Sequence, residues 1–341
     1  MTKTRMLFTL PFAALGLMLS TSPGQAQSRL AGLRGIHHAP APASRLTTPS
    51  PGTPAPNLTS PKFTILNFPG TLTTVGFGIN SGAASTKIEI VGAIGNNTAA
   101  PIGYFGGFLM HYTKATGTAT ESFHGVNIPG ATQQAASGVN DSGQIVGYYS
   151  DSSGVVHGYL ESGGKFTIID VPFSGATSTA AFGINNAGEI AGEWSDATTY
   201  HGFLLSGGIY TSLDYPGAVY TVVENINNNG DMVGQYNDTS GIQHGFSLSG
   251  GTYNSIDPPG STSTVAFGIN DAGDIVGTYC PTSECAANYD TFQGFLLSGG
   301  TYTTIAIPGA TASGALEINN KGVIVGTYFD SVGNSGFLAI P

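Results

Sequence analysis

The chain has 341 residues, of which only 9% are charged, and a formal net charge of −10. All 20 acids lie at or after Glu89, and from Lys62 onward they face five Lys and no Arg, a net charge of −15. Binding to nucleic acid or to an anionic bilayer needs clustered Lys or Arg to neutralise phosphate, so this composition excludes nucleic acid as a partner and leaves neutral glycans, cations or proteins.

In chain order, residues 1–26 read as a secretory signal peptide. Lys3 and Arg5 precede an apolar run, which ends at the small-x-small site Gly24-Gln25-Ala26. Residues 27–61 are dense in Pro, Ser, Thr and Ala and read as an extended, disordered linker, in which His37-His38 is a solvated pair. The expected location is secreted or periplasmic. No later segment is apolar enough to insert in a membrane.

Residues 62–341 are an array. An apolar segment ending in Ile-Asn or Val-Asn recurs at Asn80, Asn140, Asn185, Asn227, Asn270 and Asn319, in steps of 60, 45, 42, 43 and 49 residues. Each full unit holds four short segments with strand composition, as in residues 181–185, 189–194, 201–206 and 210–215. The first and second are joined by an Asn/Asp-x-Gly turn and the third and fourth by Ser-Gly-Gly. Connectors this short join antiparallel neighbours, since a parallel pair needs a crossover of a dozen residues or more. Pro-Gly after the fourth strand ends the sheet and leads to the next unit.

A four-stranded antiparallel meander repeated about every 45 residues without helices predicts an all-β, six-bladed β-propeller. The last unit lacks a fourth strand, while residues 63–68 resemble an orphan fourth strand followed by Pro69-Gly70. The N-terminal strand is therefore expected to close blade six, giving a monomer without open sheet edges.

The recurring Gly-Ile-Asn-Asn/Asp-x-Gly hairpin, followed by His-Gly-Phe-Leu, resembles the bacterial HAF-type extracellular repeat family over residues 63–341. The third strand here carries Gly where that family has Ala, and the His stands only at His157, His201 and His244, with Gly106, Gln293 and Ser335 in the other units. The resemblance implies a bacterial exported protein with a propeller-like fold. It brings no catalytic residues with it.

The loops between second and third strands are expected to share one face with the Pro-Gly passages. That face would carry Asp151, Asp196, Asp238, Asp290 and Asp330 near Tyr149, Trp194, Tyr200, Tyr236, Tyr279, Tyr289 and Tyr328. Aromatic planes beside carboxylates suit sugar rings, although the same Asp residues also suit hairpin turns and the same Tyr residues suit packing between blades. The six Asn side chains are read as caps of their own turns rather than as a metal ring. Asn225 and Glu317 replace a recurrent Gly and are candidates for a central Ca²⁺. His157, His201 and His244 are read as hydrogen-bonded structural residues, and Cys280 and Cys285 as a local disulfide. No esterase elbow, zincin or phosphate-loop signature is present. The expectation is a binding module with glycans as candidate ligands. The alternatives are a polysaccharide hydrolase or lyase with carboxylates at the channel mouth, and a mainly structural surface protein.

Overall fold

The computed structural model describes residues 61–66, 73–82, 87–95, 104–115, 118–283, 285, 291–330 and 334–341. The signal-peptide and linker readings therefore lie outside the described residues. Every described sheet has four antiparallel strands in meander order. Blade I holds β2 (Thr73–Ile79), β3 (Lys87–Gly95), β4 (Tyr104–Ala115) and β5 (Thr118–Val126), and blade II holds β6 (Gln133–Val139), β7 (Ile145–Ser150), β8 (Val156–Ser162) and β9 (Lys165–Ile169). Blade III comprises β10 (Ser178–Ile184), β11 (Ile190–Ser195), β12 (Tyr200–Ser206) and β13 (Ile209–Leu213), and blade IV comprises β14 (Tyr220–Ile226), β15 (Met232–Asn237), β16 (Gln243–Ser249) and β17 (Thr252–Ile256). Blade V follows with β18 (Ser263–Ile269), β19 (Ile275–Cys280), β20 (Gln293–Ser298) and β21 (Thr301–Ile305). Blade VI is β22 (Ala312–Ile318), β23 (Ile324–Phe329) and β24 (Asn334–Ile340), completed by β1 (Lys62–Leu66).

The chain is thus an all-β, six-bladed propeller closed by its N-terminal strand. Lys62 pairs with Ile340 and Leu66 with Gly336, and the Phe63 ring meets Phe337 edge-on at 5.9 Å. The first strands of successive blades touch one another around the axis, with β22 against β2 completing the circle.

One fully buried aromatic pins each blade: Phe108, Tyr159, Phe203, Phe246, Phe295 and Phe337. Each lies over a Gly of the second strand. At Gly192 an added Cβ would stand 2.1 Å from the Ala180 carbonyl and 2.9 Å from the Phe203 ring, so no other residue fits there. Burying such a ring is worth about 1.5–3 kcal/mol. In the outer hairpin of blade III, Ser206 pairs with Ile209 across Gly207 and Gly208, whose φ values of 57° and 81° are those of a two-residue turn that other residues resist. The extra residues of the first unit near Thr113–Ser122 lengthen its outer hairpin out to Ala115 pairing with Thr118.

Every first strand carries a β-bulge, which appears as a register shift between residues such as Gly76 and Gly78 or Val223 and Asn225. The extra residue of each bulge is Phe77, Ser137, Phe182, Glu224, Phe267 or Leu316. These six residues line one chamber on the propeller axis.

Candidate functional site

The turns between first and second strands form two hydrogen-bonded girdles around one mouth of the channel. In the inner girdle each repeated Asn caps its own turn. Asn227 Oδ1 accepts the N–H groups of Asn229 and Asp231 at 3.0 and 2.9 Å. The capping reading holds, and a second role adds to it, because the side-chain amide also donates to the next blade. Asn140 reaches the Asn185 carbonyl, Asn185 that of Asn227, Asn227 that of Asn270 and Asn270 that of Asn319. The series stops at Asn319, whose buried Nδ2 has no partner. In the outer girdle the backbone N–H of Asp141, Asn186, Asn228 and Asp271 donates to the side chain of Asn186, Asn228, Asp271 and Asn320 in turn. Asn320 N–H then meets the Ser81 carbonyl, and Gly82 N–H returns to Asp141.

Asn225 and Glu317 lie in the channel wall but are turned onto their own backbone. Asn225 Oδ1 accepts from Ile226 N–H at 2.6 Å, and Glu317 Oε1 from Ile318 N–H at 2.9 Å. They abut Gly183 and Gly268 of the preceding blades, and burial pushes the Glu317 carboxyl well above its usual range. The two residues stand in separate blades, and among the described residues no group of three metal-ligating side chains converges.

On the opposite face the loops between second and third strands are hydrogen-bonded to the Pro-Gly passages, as where Thr177 N–H meets Ser195 O at 2.7 Å. Here blades II, III and IV build the same station three times. The His157 Nδ1 stands 3.0 Å from Asp170 and its Nε2 3.8 Å from Asp151. The corresponding distances are 2.7 Å to Asp214 and 3.7 Å to Asp196 for His201, and 3.0 Å to Asp257 and 3.7 Å to Asp238 for His244. Each imidazole is stacked on an aromatic of the second strand: Tyr149 at 5.3 Å, Trp194 at 4.4 Å and Tyr236 at 5.1 Å. The loop Asp is fixed by its own turn. Asp196 Oδ1 accepts from Thr198 Oγ1–H and from the N–H groups of Thr198 and Thr199, and these bonds bring its carboxyl down to about 2. Asp151 and Asp238 are lowered chiefly by the backbone N–H groups of Val155 and Ile242.

The sequence-predicted residues divide on this face. Asp151, Asp196 and Asp238 present their second oxygens to the His. The rings of Trp194, Tyr236 and Tyr328 are buried, so they do not serve as open stacking platforms. Tyr236 lies between His244 and Tyr215, the latter parallel at 3.6 Å, and Trp194 packs against Phe173 and donates to Ser212 Oγ. Tyr200 packs edge-on against Tyr220 across the next blade seam, and the Tyr279 hydroxyl bonds Gln293. Asp330 follows β23 and is partly buried, while Tyr289 and Asp290 lie outside the described residues. Cys280 and Cys285 form a disulfide, with both residues buried against Phe267 and Phe292.

Asp170, Asp214 and Asp257 were not singled out by the sequence reading, yet they carry the shortest contacts of the stations. The signal was available in the repeats themselves. Each stands 13 residues after its His, and where the His becomes Gln293 the residue 13 further on is Ala306. At that place in blade V the structure has a cleft of about 120 Å³ lined by Gln293, Thr304, Ala306, Thr311 and Ser313.

The fold and this face define a six-bladed propeller with three equivalent His–carboxylate stations. No known family profile matches the chain, and no curated protein matches it. Solved structures align with the chain at low identity. The β-propeller domain of the Trilobed protease from Pyrococcus furiosus aligns with 8% identity and a TM-score of 0.44 over 79% of this chain and 94% of its own. A mutant Aleuria aurantia lectin in complex with alpha-methyl-L-fucoside aligns with 13% identity and a TM-score of 0.40 over 84% and 97%. A mutant of AofleA from Arthrobotrys oligospora aligns with 11% identity and a TM-score of 0.46 over 81% and 85%.

Proposed function

We propose that this chain is an exported binding module of the HAF type that holds a repeating, hydroxyl-rich polymer, a neutral glycan, across the loop face of blades II–IV. The observation that supports this reading is the threefold recurrence of the station. Each copy offers two partly exposed carboxylates flanking one imidazole, a set of acceptors suited to sugar hydroxyls. Three copies on adjacent blades can engage successive units of one polymer, so weak single contacts sum to useful avidity. The buried aromatics contribute by fixing the imidazole, not by stacking on the ligand.

A polysaccharide hydrolase would ask for two carboxylates meeting in an open groove, one of them with a raised pKa. The Glu193 and Glu224 carboxyls are raised, both by burial and Glu193 also by Glu224, but Glu193 is buried near Tyr148 and Glu224, bonded by Gln235, faces a small axial chamber rather than an open groove. The binding reading is therefore preferred. Its test is a glycan array run beside a reducing-sugar assay on the wild type and on the combined Asp170→Asn, Asp214→Asn and Asp257→Asn variant. Array binding that the triple variant loses by at least about tenfold, with no sugar release, is the expected outcome. Sugar release, or equal binding by the variant, overturns it.

A further inference from the structure

The chamber on the propeller axis is separate from the loop-face stations. Its wall is made by the six bulge residues, and their chemistry is uneven: Phe77, Phe182, Phe267 and Leu316 are apolar, while Ser137 and Glu224 are not. A bulge re-aims one side chain without disturbing the rest of the strand, which is how six blades place one residue each at the same depth. Phe182 and Phe267 are almost fully buried and Phe77 partly so, and Asn225 lines both this chamber and the space inside the girdles, so the two adjoin. Its volume is about 40 Å³, room for roughly three waters.

One polar group in this wall lacks the partner that burial demands. Ser137 Oγ is buried without a hydrogen bond. Glu224, which also lines the chamber, accepts from Gln235 Nε2–H at 2.8 Å through Oε1. A buried hydroxyl left unpaired is costly, so a hydroxyl beside an acid in an aromatic-lined space needs a reason to be there. An ion with N–H donors and a short apolar stem supplies one. Its donors would meet Glu224 and Ser137, and its charge and alkyl part would face the Phe rings, whose π faces attract cations.

We propose that the axial chamber binds a small primary alkylammonium group, with Glu224 as the counter-ion, Ser137 as second acceptor and Phe77, Phe182 and Phe267 as the aromatic cage. The group can be a free amine or the end of a Lys side chain reaching down the channel, since the recognising chemistry is the same.

Ethylammonium chloride is the direct probe, titrated by calorimetry or ligand-observed NMR against the whole protein, with ethanol as the uncharged control. Binding in the millimolar range is expected, with no competition from ethanol. Glu224→Gln should weaken it by at least about tenfold while still accepting from Gln235, and Phe182→Leu or Phe267→Leu by about threefold. Adding a short Lys-containing peptide in competition separates the two sources: displacement assigns a side chain as a ligand the channel admits, and failure to displace assigns the free amine. Burial pushes the Glu224 acid up to about 7, against the lowering by Gln235. The titratable and polar neighbours facing it are Glu193 on β11, Tyr148 on β7 and Gln235 on β15. Affinity should therefore rise as pH passes upward through about 7. A folded protein that does not bind ethylammonium at about 100 mM, or whose binding ignores Glu224→Gln, overturns the proposal. Either result would leave the loop-face reading untouched, because the stations share no residue with the chamber.

Discussion

Blades II, III and IV differ from blades V, VI and I in one respect that the fold does not require. The aromatic pin over a second-strand Gly is present in all six blades, and so is the first-strand bulge. The Asp–His–Asp station is present in three. In blade V its place is taken by Gln293 and Ala306, and the sheet there is equally regular, with Gly294 paired to Ile305 as Gly202 is to Leu213. A set of side chains that half the blades do without is not there to hold blades together. The comparison separates what builds the propeller from what decorates it, and it can be tested by mutating matched positions in the two halves.

The largest effect is expected where the halves agree. Phe203→Ala in blade III and Phe295→Ala in blade V should each cost about 3–5 kcal/mol, since both rings are fully buried and the Gly beneath cannot fill the void. Urea unfolding should give matching losses to within about 1 kcal/mol. A marked difference would mean that the two halves do not share one architecture. By contrast, Asp214→Asn should change stability by less than about 1 kcal/mol, because its contact to His201 is partly exposed.

An intermediate effect is expected at the seams between blades. Asn227 and Asn319 cap their turns identically, but only Asn227 donates onward to the next blade, at 2.9 Å. Two features set Asn319 apart. Four residues after it stands Val323, where Gln144, Glu189 and Asp274 accept from the other Asn amides, and its neighbour across the seam is the first blade, at the other end of the repeat array. Asn227→Ala should therefore cost about 1 kcal/mol more than Asn319→Ala, read from paired denaturant curves. Equal costs would mean that the onward bonds contribute nothing.

Much of this architecture was legible in the residues because turn chemistry is local. Asn-x-x-Gly and Ser-Gly-Gly dictate antiparallel hairpins, and an unmatched strand at each end of the array has one economical resolution, which β1 on β24 provides. The bulge at Phe77 or Glu224 was hidden, since one extra residue in a run of small and apolar side chains leaves no composition signal and only the register reveals it. The girdles were hidden for a different reason: their second half is a bond to the next blade, more than 40 residues away. At the loop face Trp194 and Tyr236 were expected to lie open. A ring ending a strand is covered by whatever follows in the neighbouring strands and passages, here His201 with Phe173 and His244 with Tyr215. The exposed chemistry of the face therefore belongs to carboxylates.

The smallest change in stability, and the sharpest test of the comparison, is to build a fourth station. Gln293→His with Ala306→Asp would place the missing pair at the separation of 13 residues found in blades II–IV, in the cleft that their absence leaves. The Tyr279 hydroxyl would lose Gln293 as acceptor but keep Thr304 at 3.1 Å, so the cost should stay below about 1 kcal/mol. If the stations act as repeated contacts for one polymer, adding another on the adjacent blade raises apparent affinity several-fold for a long glycan and leaves a single-unit sugar unaffected. That length dependence is the decisive readout. A general electrostatic effect of the new carboxylate would shift both ligands alike and would fade as salt is raised, whereas gain by avidity needs a ligand long enough to span two blades.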